Sequence, residues 1–345
     1  MSLHSEILEQ PACLERLLSS QKKTVEQIAA TIQSGEIQYA FLAARGSSDN
    51  AGRYANYLWG ALNGLPLALA TPSLFTYYQQ PPKLKNALVV GISQSGQSPD
   101  ILSVVEEGKR QGNLTLAITN ASDSALAQAA DFVLDVQAGP ELAVAATKTY
   151  TAELMAIAML STALTGNAER WGELEQVAGW VGEALKRDNI IEQLAQRYRY
   201  MQQCVVLGRG YNYATAFEWA LKLKELTYVE AEPYSSADFQ HGPVAMVAQG
   251  FPVMAVIPAG KVFDSMMTLL KHLQTDLLAE LVVISNAKEA QTIANSPINI
   301  PAEVPEWLSP LVTIVPAQLF AFHLTRIKGF DVNKPRSISK VTETR

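Results

Sequence analysis

Short apolar runs alternate with helix-length segments along most of the chain. In the first half the runs cover residues 39–44, 67–70, 87–91 and 115–120, and in the second half residues 204–207, 251–257 and 281–286. Each run has the length of a strand, and the segments between them are long enough for helices. Strands that alternate with helices favour parallel sheets joined by right-handed crossovers. The pattern therefore predicts an α/β protein with two doubly wound parallel sheets.

The two halves repeat one organisation. The first strand of each half ends in a glycine-containing break, at residues 45–48 and at residues 208–210. A helical run follows each break, over residues 50–62 and residues 214–229. This repetition indicates an internal duplication of one domain.

Composition along the chain sets the expected boundaries. Residues 167–199 are rich in Glu, Ala, Leu, Arg and Lys, which favours a helical linker over a flexible one. We expect a helical segment at 1–34, a first domain at 35–166, this linker at 167–199, a second domain at 200–330 and a polar tail at 331–345.

A hydroxyl-rich loop follows the strand at residues 87–91. Ser93, Gln94, Ser95 and Ser98 place four neutral polar side chains before a helix that starts near Pro99. The first N–H groups of a helix have no intrahelical partner and form the positive end of its dipole, so the loop predicts a site for a phosphate group.

The loop lacks the Lys-Ser/Thr ending of a P-loop and the spaced glycines of a dinucleotide site. A small phosphorylated metabolite is therefore favoured over a nucleotide. The alternative is that Ser98 only caps the helix, with Pro99 in its first position, but capping does not account for Ser93, Gln94 and Ser95.

The polar loops of the two halves differ, and the difference predicts a separate role for each half. Gly46, Ser47 and Ser48 follow another strand, and ligands of open α/β sheets bind beyond the carboxyl ends of strands, so this second loop is expected at the same edge. The corresponding place in the second half, residues 258–261, has lost the serine pair. We expect the first half to hold the phosphate and the second half to supply chemistry.

Composition excludes several functional classes. Of the 345 residues, 48% are hydrophobic and 17% charged, which excludes wholesale disorder, and the formal net charge of −6 argues against general attraction to nucleic acid or acidic membranes. Without a secretory pattern at the N-terminus or an apolar stretch typical of a membrane span, a cytoplasmic protein is expected. The two cysteines, Cys13 and Cys204, and the four histidines are dispersed, so neither a metal nor a cofactor is expected.

Seven sequence blocks, in this order, resemble the sugar isomerase (SIS) domain family, and in particular the double-SIS isomerase module of glucosamine-6-phosphate synthase and its stand-alone relatives. The blocks are residues 45–52, 93–96, 144–150, 207–210, 220–225, 240–243 and 334–336. The resemblance implies two flavodoxin-like domains and a phosphosugar substrate. It also implies that Ser48, Ser93, Gln94, Ser95 and Ser98 hold the sugar 6-phosphate, and that the backbone of Val144 contacts the sugar.

The resemblance also implies the catalytic groups. Glu225 would move a proton between C2 and C1 of the sugar, and Lys222, three residues earlier on the same helix, would stabilise the developing oxyanion. Without the resemblance, an exposed helix ion pair is the ordinary interpretation of these two residues. Ala146 stands where relatives often carry a serine, a departure that bears on recognition of a hydroxyl or an amine.

Three further residues receive roles from the same family. His241 would open the sugar ring from the neighbouring subunit, which implies a homodimer, and Asp238 would orient it or bind the substrate amine. Lys340 would close over the substrate with the C-terminal tail. A structural histidine and a solvated tail lysine are the alternatives.

The predicted reaction follows from what precedes the first strand. About 35 residues are too few for the glutaminase domain of the synthase, and the chain starts Met1-Ser2 without a terminal cysteine, so we expect ammonia loss instead of ammonia uptake. The expected activity is glucosamine-6-phosphate deaminase. The alternatives are a fructosamine-6-phosphate deglycase and a non-catalytic phosphosugar sensor. A sensor would leave Lys222, Glu225 and His241 without a role.

Overall fold

The computed structural model describes residues 2–340. It contains ten β-strands, which are β1 (Tyr39–Ala43), β2 (Leu67–Leu69), β3 (Ala87–Ser93), β4 (Leu114–Thr119), β5 (Phe132–Asp135), β6 (Gln203–Gly208), β7 (Glu230–Ser235), β8 (Pro252–Val256), β9 (Glu280–Ser285) and β10 (Ser296–Asn299). The α-helices are α1 (Leu3–Leu8), α2 (Gln10–Ser34), α3 (Ser47–Asn63), α4 (Ser73–Thr76), α5 (Pro99–Arg110), α6 (Ala125–Ala129), α7 (Lys148–Thr165), α8 (Ala168–Leu185), α9 (Asp188–Gln196), α10 (Tyr213–Lys222), α11 (Ser236–Gln240), α12 (Phe263–Thr275), α13 (Lys288–Ile293) and α14 (Ser309–Ile327).

The strands form two five-stranded sheets, and every pairing in them is parallel. The first has the order β2-β1-β3-β4-β5 and the second β10-β9-β8-β6-β7. From its other end, the second sheet runs β7-β6-β8-β9-β10, which is the same order strand for strand. This identity confirms the predicted fold class, two doubly wound parallel sheets related by duplication.

Three strands, β5, β7 and β10, lie outside the predicted runs, and all three are at sheet edges. An edge strand needs hydrogen-bond partners on one side only, so it tolerates polar residues and proline. Pro233 in β7 and Pro297 in β10 break the apolar pattern that marks the central strands.

The helix predicted at residues 214–229 is interrupted. Helix α10 ends at Lys222, and Leu223–Thr227 forms one turn of π-helix. Tyr228 then ends the turn in the left-handed conformation, with φ of 56°. Isolated π-turns inside α-helices occur often at functional sites, and this one contains Glu225.

The described residues form two compact units. The first-sheet unit consists of residues 12–141, 148–176 and 338–340 and contains β1 to β5. The second-sheet unit consists of residues 2–11, 142–147 and 177–337 and contains β6 to β10. Each unit has its own apolar core between its sheet and its helices, centred on residues such as Val89 and Val104 in the first and Val283 and Leu270 in the second.

Helix α14 lies at the centre of the second-sheet unit. The helical stretch Glu306–Ile327 is long and apolar enough to cross a membrane, but its most apolar window is entirely buried inside the protein. Burial of this kind is typical of the core helix of a folded domain.

Candidate active site

The two polar loops of the first-sheet unit leave neighbouring strands at the same edge. β1 and β3 pair in parallel, with Ala43 opposite Gly91, so the turn at residues 44–46 that leads into α3 and the loop at residues 94–98 begin side by side. The strand order reverses between β1 and β3. Such a reversal opens a crevice beyond the carboxyl ends of the strands, where ligands of open α/β sheets bind.

The serine loop holds its shape through its own hydrogen bonds. Ser93 Oγ accepts the N–H of Gly96 at 3.2 Å, and Ser95 Oγ accepts the N–H of Gln97 at 3.4 Å. Gly96 has φ of 61°, and a Cβ there would lie 2.0 Å from Ser124 Oγ. Only glycine fits this position, because any other side chain would meet Ser124 and strain the backbone.

Ser98 is the N-cap residue of α5, but its side chain makes no capping hydrogen bond. Instead, Asp100 Oδ1 accepts the N–H of Ile101 at 2.9 Å. Pro99 occupies the first turn, as the sequence suggested. Helix capping by Ser98 therefore does not account for its hydroxyl in this structure.

Ser48 has a partner that the sequence analysis missed. Its hydroxyl donates to Glu153 Oε1 on α7 at 2.9 Å, and both side chains are buried. The backbone N–H groups at the start of α3, where Gly46 is the N-cap with φ of 54°, are then the natural donors of this loop. Only the tertiary fold brings residues 48 and 153 together, so no local sequence signal could have revealed the contact.

A cluster of three charged side chains on α10 and the π-turn occupies the second-sheet unit. Lys222 Nζ lies 2.7 Å from Glu225 Oε2 and 3.3 Å from Glu218 Oε1. The side chains of Lys222 and Glu218 are almost completely buried, whereas Glu225 is 25% exposed. The carboxylate of Glu225 is therefore partly exposed, whereas the ammonium of Lys222 that pairs with it is buried.

The charge of Lys222 is fixed by its neighbours. Burial alone disfavours the ammonium, but the two carboxylates of Glu218 and Glu225 outweigh that effect and raise the pKa of Lys222 above its usual value. Lys222 is thus a permanent cation at neutral pH. The ordinary interpretation of an exposed helix ion pair does not fit, because the lysine and one of its partners are buried.

Tyr228, which ends the π-turn, also holds the C-terminal tail. Its Oη accepts the N–H of Arg336 at 2.9 Å, and the Arg336 guanidinium lies 3.9 Å from the ring centroid. Phe330 packs against the same ring, with centroids 4.8 Å apart. The start of the tail is therefore fixed beside the turn that carries Glu225.

His241 and Asp238 lie at the end of α11, which follows β7. Both residues are exposed, and the His241 N–H donates to the backbone oxygen of Asp238 at 3.0 Å. Phe239 between them is buried and anchors the short helix in the core. The described contact joins their backbones, so the predicted orientation of the imidazole by Asp238 remains a prediction.

The loop that carries Val144 is held by a buried acid that the sequence analysis also missed. Glu6 on α1 is fully buried and accepts the N–H groups of Leu142 at 2.5 Å and Ala143 at 3.2 Å. At the other end of the loop, Gln318 donates to the backbone oxygen of Thr147 at 3.3 Å. Helices α1 and α14 thereby fix the backbone on both sides of Val144.

Lys340 is an ion-pair partner in the first-sheet unit. Its Nζ lies 2.6 Å from Oε2 of Glu141, a buried carboxylate that also accepts the backbone N–H and the hydroxyl of Thr149. The Lys340 side chain is only 22% exposed, so the interpretation as a solvated tail lysine does not describe it. Among residues 2–340, no group of three His, Cys, Asp or Glu side chains is arranged to hold a metal ion.

The duplicated parallel sheets, with a hydroxyl-rich loop where the order of the first sheet reverses, define the chain as a double-domain α/β protein with two units of one topology. The SIS domain family matches residues 37–163 and 199–328. The chain belongs to this family.

Known proteins of similar sequence and structure agree with that assignment. A glutamine–fructose-6-phosphate aminotransferase (isomerizing) from Thermococcus kodakarensis is 34% identical over 344 residues, which cover 97% of this chain but 56% of that protein. The C-terminal domain of glucosamine-fructose-6-phosphate aminotransferase from Francisella tularensis has a TM-score of 0.86 at 28% identity, over 96% of this chain and 98% of that one. Glucosamine-6-phosphate deaminase from Thermotoga maritima shares the fold, with a TM-score of 0.79 at 22% identity over the whole of both chains.

Proposed function

We propose that the protein is a glucosamine-6-phosphate deaminase, which converts glucosamine 6-phosphate and water into fructose 6-phosphate and ammonia. The observation that carries the proposal is the cluster of Glu218, Lys222 and Glu225. It offers a partly exposed carboxylate for proton transfer and a buried, permanently charged ammonium beside it. This pairing suits a reaction that moves a proton and develops negative charge on a neighbouring oxygen.

The serine loop supports the choice of a 6-phosphate substrate. We assign phosphate binding to Ser93, Gln94, Ser95, Ser98 and the start of α3, with the sugar contacted by the backbone of Val144. The phosphate is remote from C1 and C2, so its binding energy positions the reacting carbons without taking part in the chemistry.

The reaction begins with opening of the sugar ring, for which we assign the proton transfer to His241, contributed by the partner subunit of a homodimer. Glu225 then removes the proton from C2, and the electron pair forms the C1–C2 double bond of an enolamine. Lys222 stabilises the negative charge that develops on O1. Return of the proton to C1 leaves an imine at C2.

Hydrolysis completes the sequence. Water adds to the C2 imine, the C–N bond breaks, and ammonia leaves with fructose 6-phosphate as the other product. We assign Asp238 to the departing amine and Lys340 to closure of the tail over the substrate.

Both cysteines are buried, and burial raises the pKa of the Cys204 thiol to about 12. Buried thiols of this kind are inert, so the proposed reaction assigns no step to either of them.

The test is incubation of the protein with glucosamine 6-phosphate, its N-acetyl form and the fructosamine 6-phosphate of an amino acid. We expect equal amounts of ammonia and fructose 6-phosphate from the first substrate, formed about 10²-fold or more slowly with Glu225→Gln. Release of glucose 6-phosphate and free amino acid from the fructosamine would show a deglycase instead. Binding of all three compounds without turnover would show a sensor.

A further inference from the structure

We propose that Arg45 and Asp100 form a positioning pair that holds the two phosphate-binding loops of the first-sheet unit at a fixed separation. Arg45 Nε lies 2.6 Å from Asp100 Oδ2. Arg45 lies in the first loop, directly before Gly46, the N-cap of α3, and Asp100 is the second residue of α5, which follows the second loop at residues 94–98. The inference rests on the proposed phosphate site and concerns how that site keeps its shape.

The backbone does not provide this link. Ala43 and Gly91 are the last residues paired between β1 and β3, so both loops extend beyond the shared ladder. The strand order reverses here, and right-handed crossovers carry α3 and α5 to opposite faces of the sheet. A side-chain bridge across the crevice is therefore one means by which one loop can position the other.

The burial of Asp100 is energetically unfavourable unless its carboxylate has partners. Its side chain is fully buried, and a buried carboxylate requires both hydrogen bonds and an opposite charge. Oδ1 accepts the N–H of Ile101, and Oδ2 accepts Nε of Arg45. The first turn of α5 thus holds Oδ1 of Asp100, and Arg45 beside the other loop holds Oδ2.

The charge balance favours a positioning role over a direct phosphate contact. An unbalanced carboxylate at the start of α5 would repel a phosphate, although it would suit the helix dipole. Arg45 neutralises that charge, so Asp100 can fix the start of α5 without repelling a phosphate from the neutral side chains of the serine loop. Because Nε of Arg45 binds Asp100, we assign the arginine to the carboxylate and not to the phosphate.

The helix α3 offers a matched control. Arg53 Nη2 pairs with Asp49 Oδ2 at 3.1 Å within one helix, so this pair does not join the two loops. Both arginines line the same open depression of about 400 Å³ beside Gly46. Arg53→Met therefore removes a similar charge from the same surface without touching the proposed bridge.

The experiment measures the Kd of glucose 6-phosphate by calorimetry for the parent, Arg45→Met, Asp100→Leu, the double variant and Arg53→Met. We expect each single variant at positions 45 and 100 to weaken binding by about tenfold or more, by analogy with the groups that orient metal ligands, whose loss costs about 10–100-fold. The double variant should be no worse than either single variant, because the pair acts as one unit. Arg53→Met should stay within about twofold of the parent.

The double variant also guards against misfolding, since removal of both charges leaves no uncompensated buried carboxylate. Its melting temperature without ligand should stay near that of the parent while its affinity is reduced. Unchanged or tighter binding by Asp100→Leu would overturn the inference and make Arg45 a direct ligand. A parent that binds glucose 6-phosphate no differently from Ser93→Ala/Ser95→Ala would instead overturn the phosphate site itself, and the inference with it.

Discussion

Removal of the buried ammonium of Lys222 should separate the two roles of its charge cluster, stability and catalysis. In Lys222→Met, Glu218 keeps its buried carboxylate but loses the cation 3.3 Å away. Loss of one partner from a buried ion pair costs about 3–5 kcal/mol. At roughly 2–4 °C per kcal/mol for a unit of this size, the melting temperature should fall by about 6–20 °C.

A second variant then tests the cause. Glu218→Gln/Lys222→Met removes both buried charges, so most of the lost stability should return. Catalysis should not return, because Glu225 still lacks the ammonium 2.7 Å away, and loss of such an electrostatic group costs about 10²–10³ in kcat. The exposed Lys224 provides the control, since Lys224→Met should change stability by about 0.5 kcal/mol or less.

The assays are calorimetric unfolding and steady-state turnover at pH 7.5. Because the folded pKa of Lys222 is raised, its contribution to stability is fully present below its unfolded pKa of 10.5 and is lost as the pH rises further. The full effect is therefore visible at neutral pH. A Lys222→Met protein that melts within about 2 °C of the parent, or a double variant no more stable than the single one, would refute the stabilising role of this ion pair.

Three further predictions concern other parts of the molecule. Glu225→Gln should lower turnover by about 10²-fold or more while glucose 6-phosphate affinity stays within a few-fold, because general base catalysis supplies about 10²–10⁴; turnover near the parent's would exclude this base. The buried thiol of Cys204 should make stability fall above pH 9.0, its unfolded pKa, by about 1.4 kcal/mol at pH 10, since the folded thiol ionises only near pH 12. Thermal unfolding of Cys204→Ala should not show this decrease in stability between pH 8 and pH 10. An equal decrease in the variant and the parent would contradict the role of Cys204. His241→Ala and Glu225→Gln should each be nearly inactive, and their mixture under verified subunit exchange should recover as much as about half the parental activity per heterodimer. The reason is that one site of the heterodimer then carries both changes and the other carries neither. Exchange without recovery would place both residues in one subunit's site.

The central strands and the polar loops could be predicted because their signals are local. A strand buried on both faces is apolar throughout, as in Val89 and Val90 of β3 or Val282 and Val283 of β9. The hydroxyl-rich loop after β3 is likewise visible as a run of adjacent residues. Edge strands such as β7 could not be predicted, since one exposed side allows polar residues and proline.

The partners that fix the site could not be predicted, because they come from distant parts of the chain. Glu6 reaches residues 142 and 143, Glu153 reaches Ser48, and Glu141 reaches Lys340. Each is an acid buried by the tertiary fold, and its sequence neighbours give no sign of that burial. The π-turn at Glu225 also escaped prediction, because its residues are ordinary helix formers.

The hydrogen bonds from the loop around Val144 to Glu6 have a practical consequence for preparing this protein. Leu3, Glu6 and Ile7 are fully buried, so the first helix belongs to the interior of its unit although it lies near one end of the sequence. An affinity tag or a proteolytic cut that unravels residues 3–8 would release the backbone around Val144 and leave a folded but poorly active preparation. An intact-mass measurement that confirms residues 3–8 should therefore accompany every activity assay.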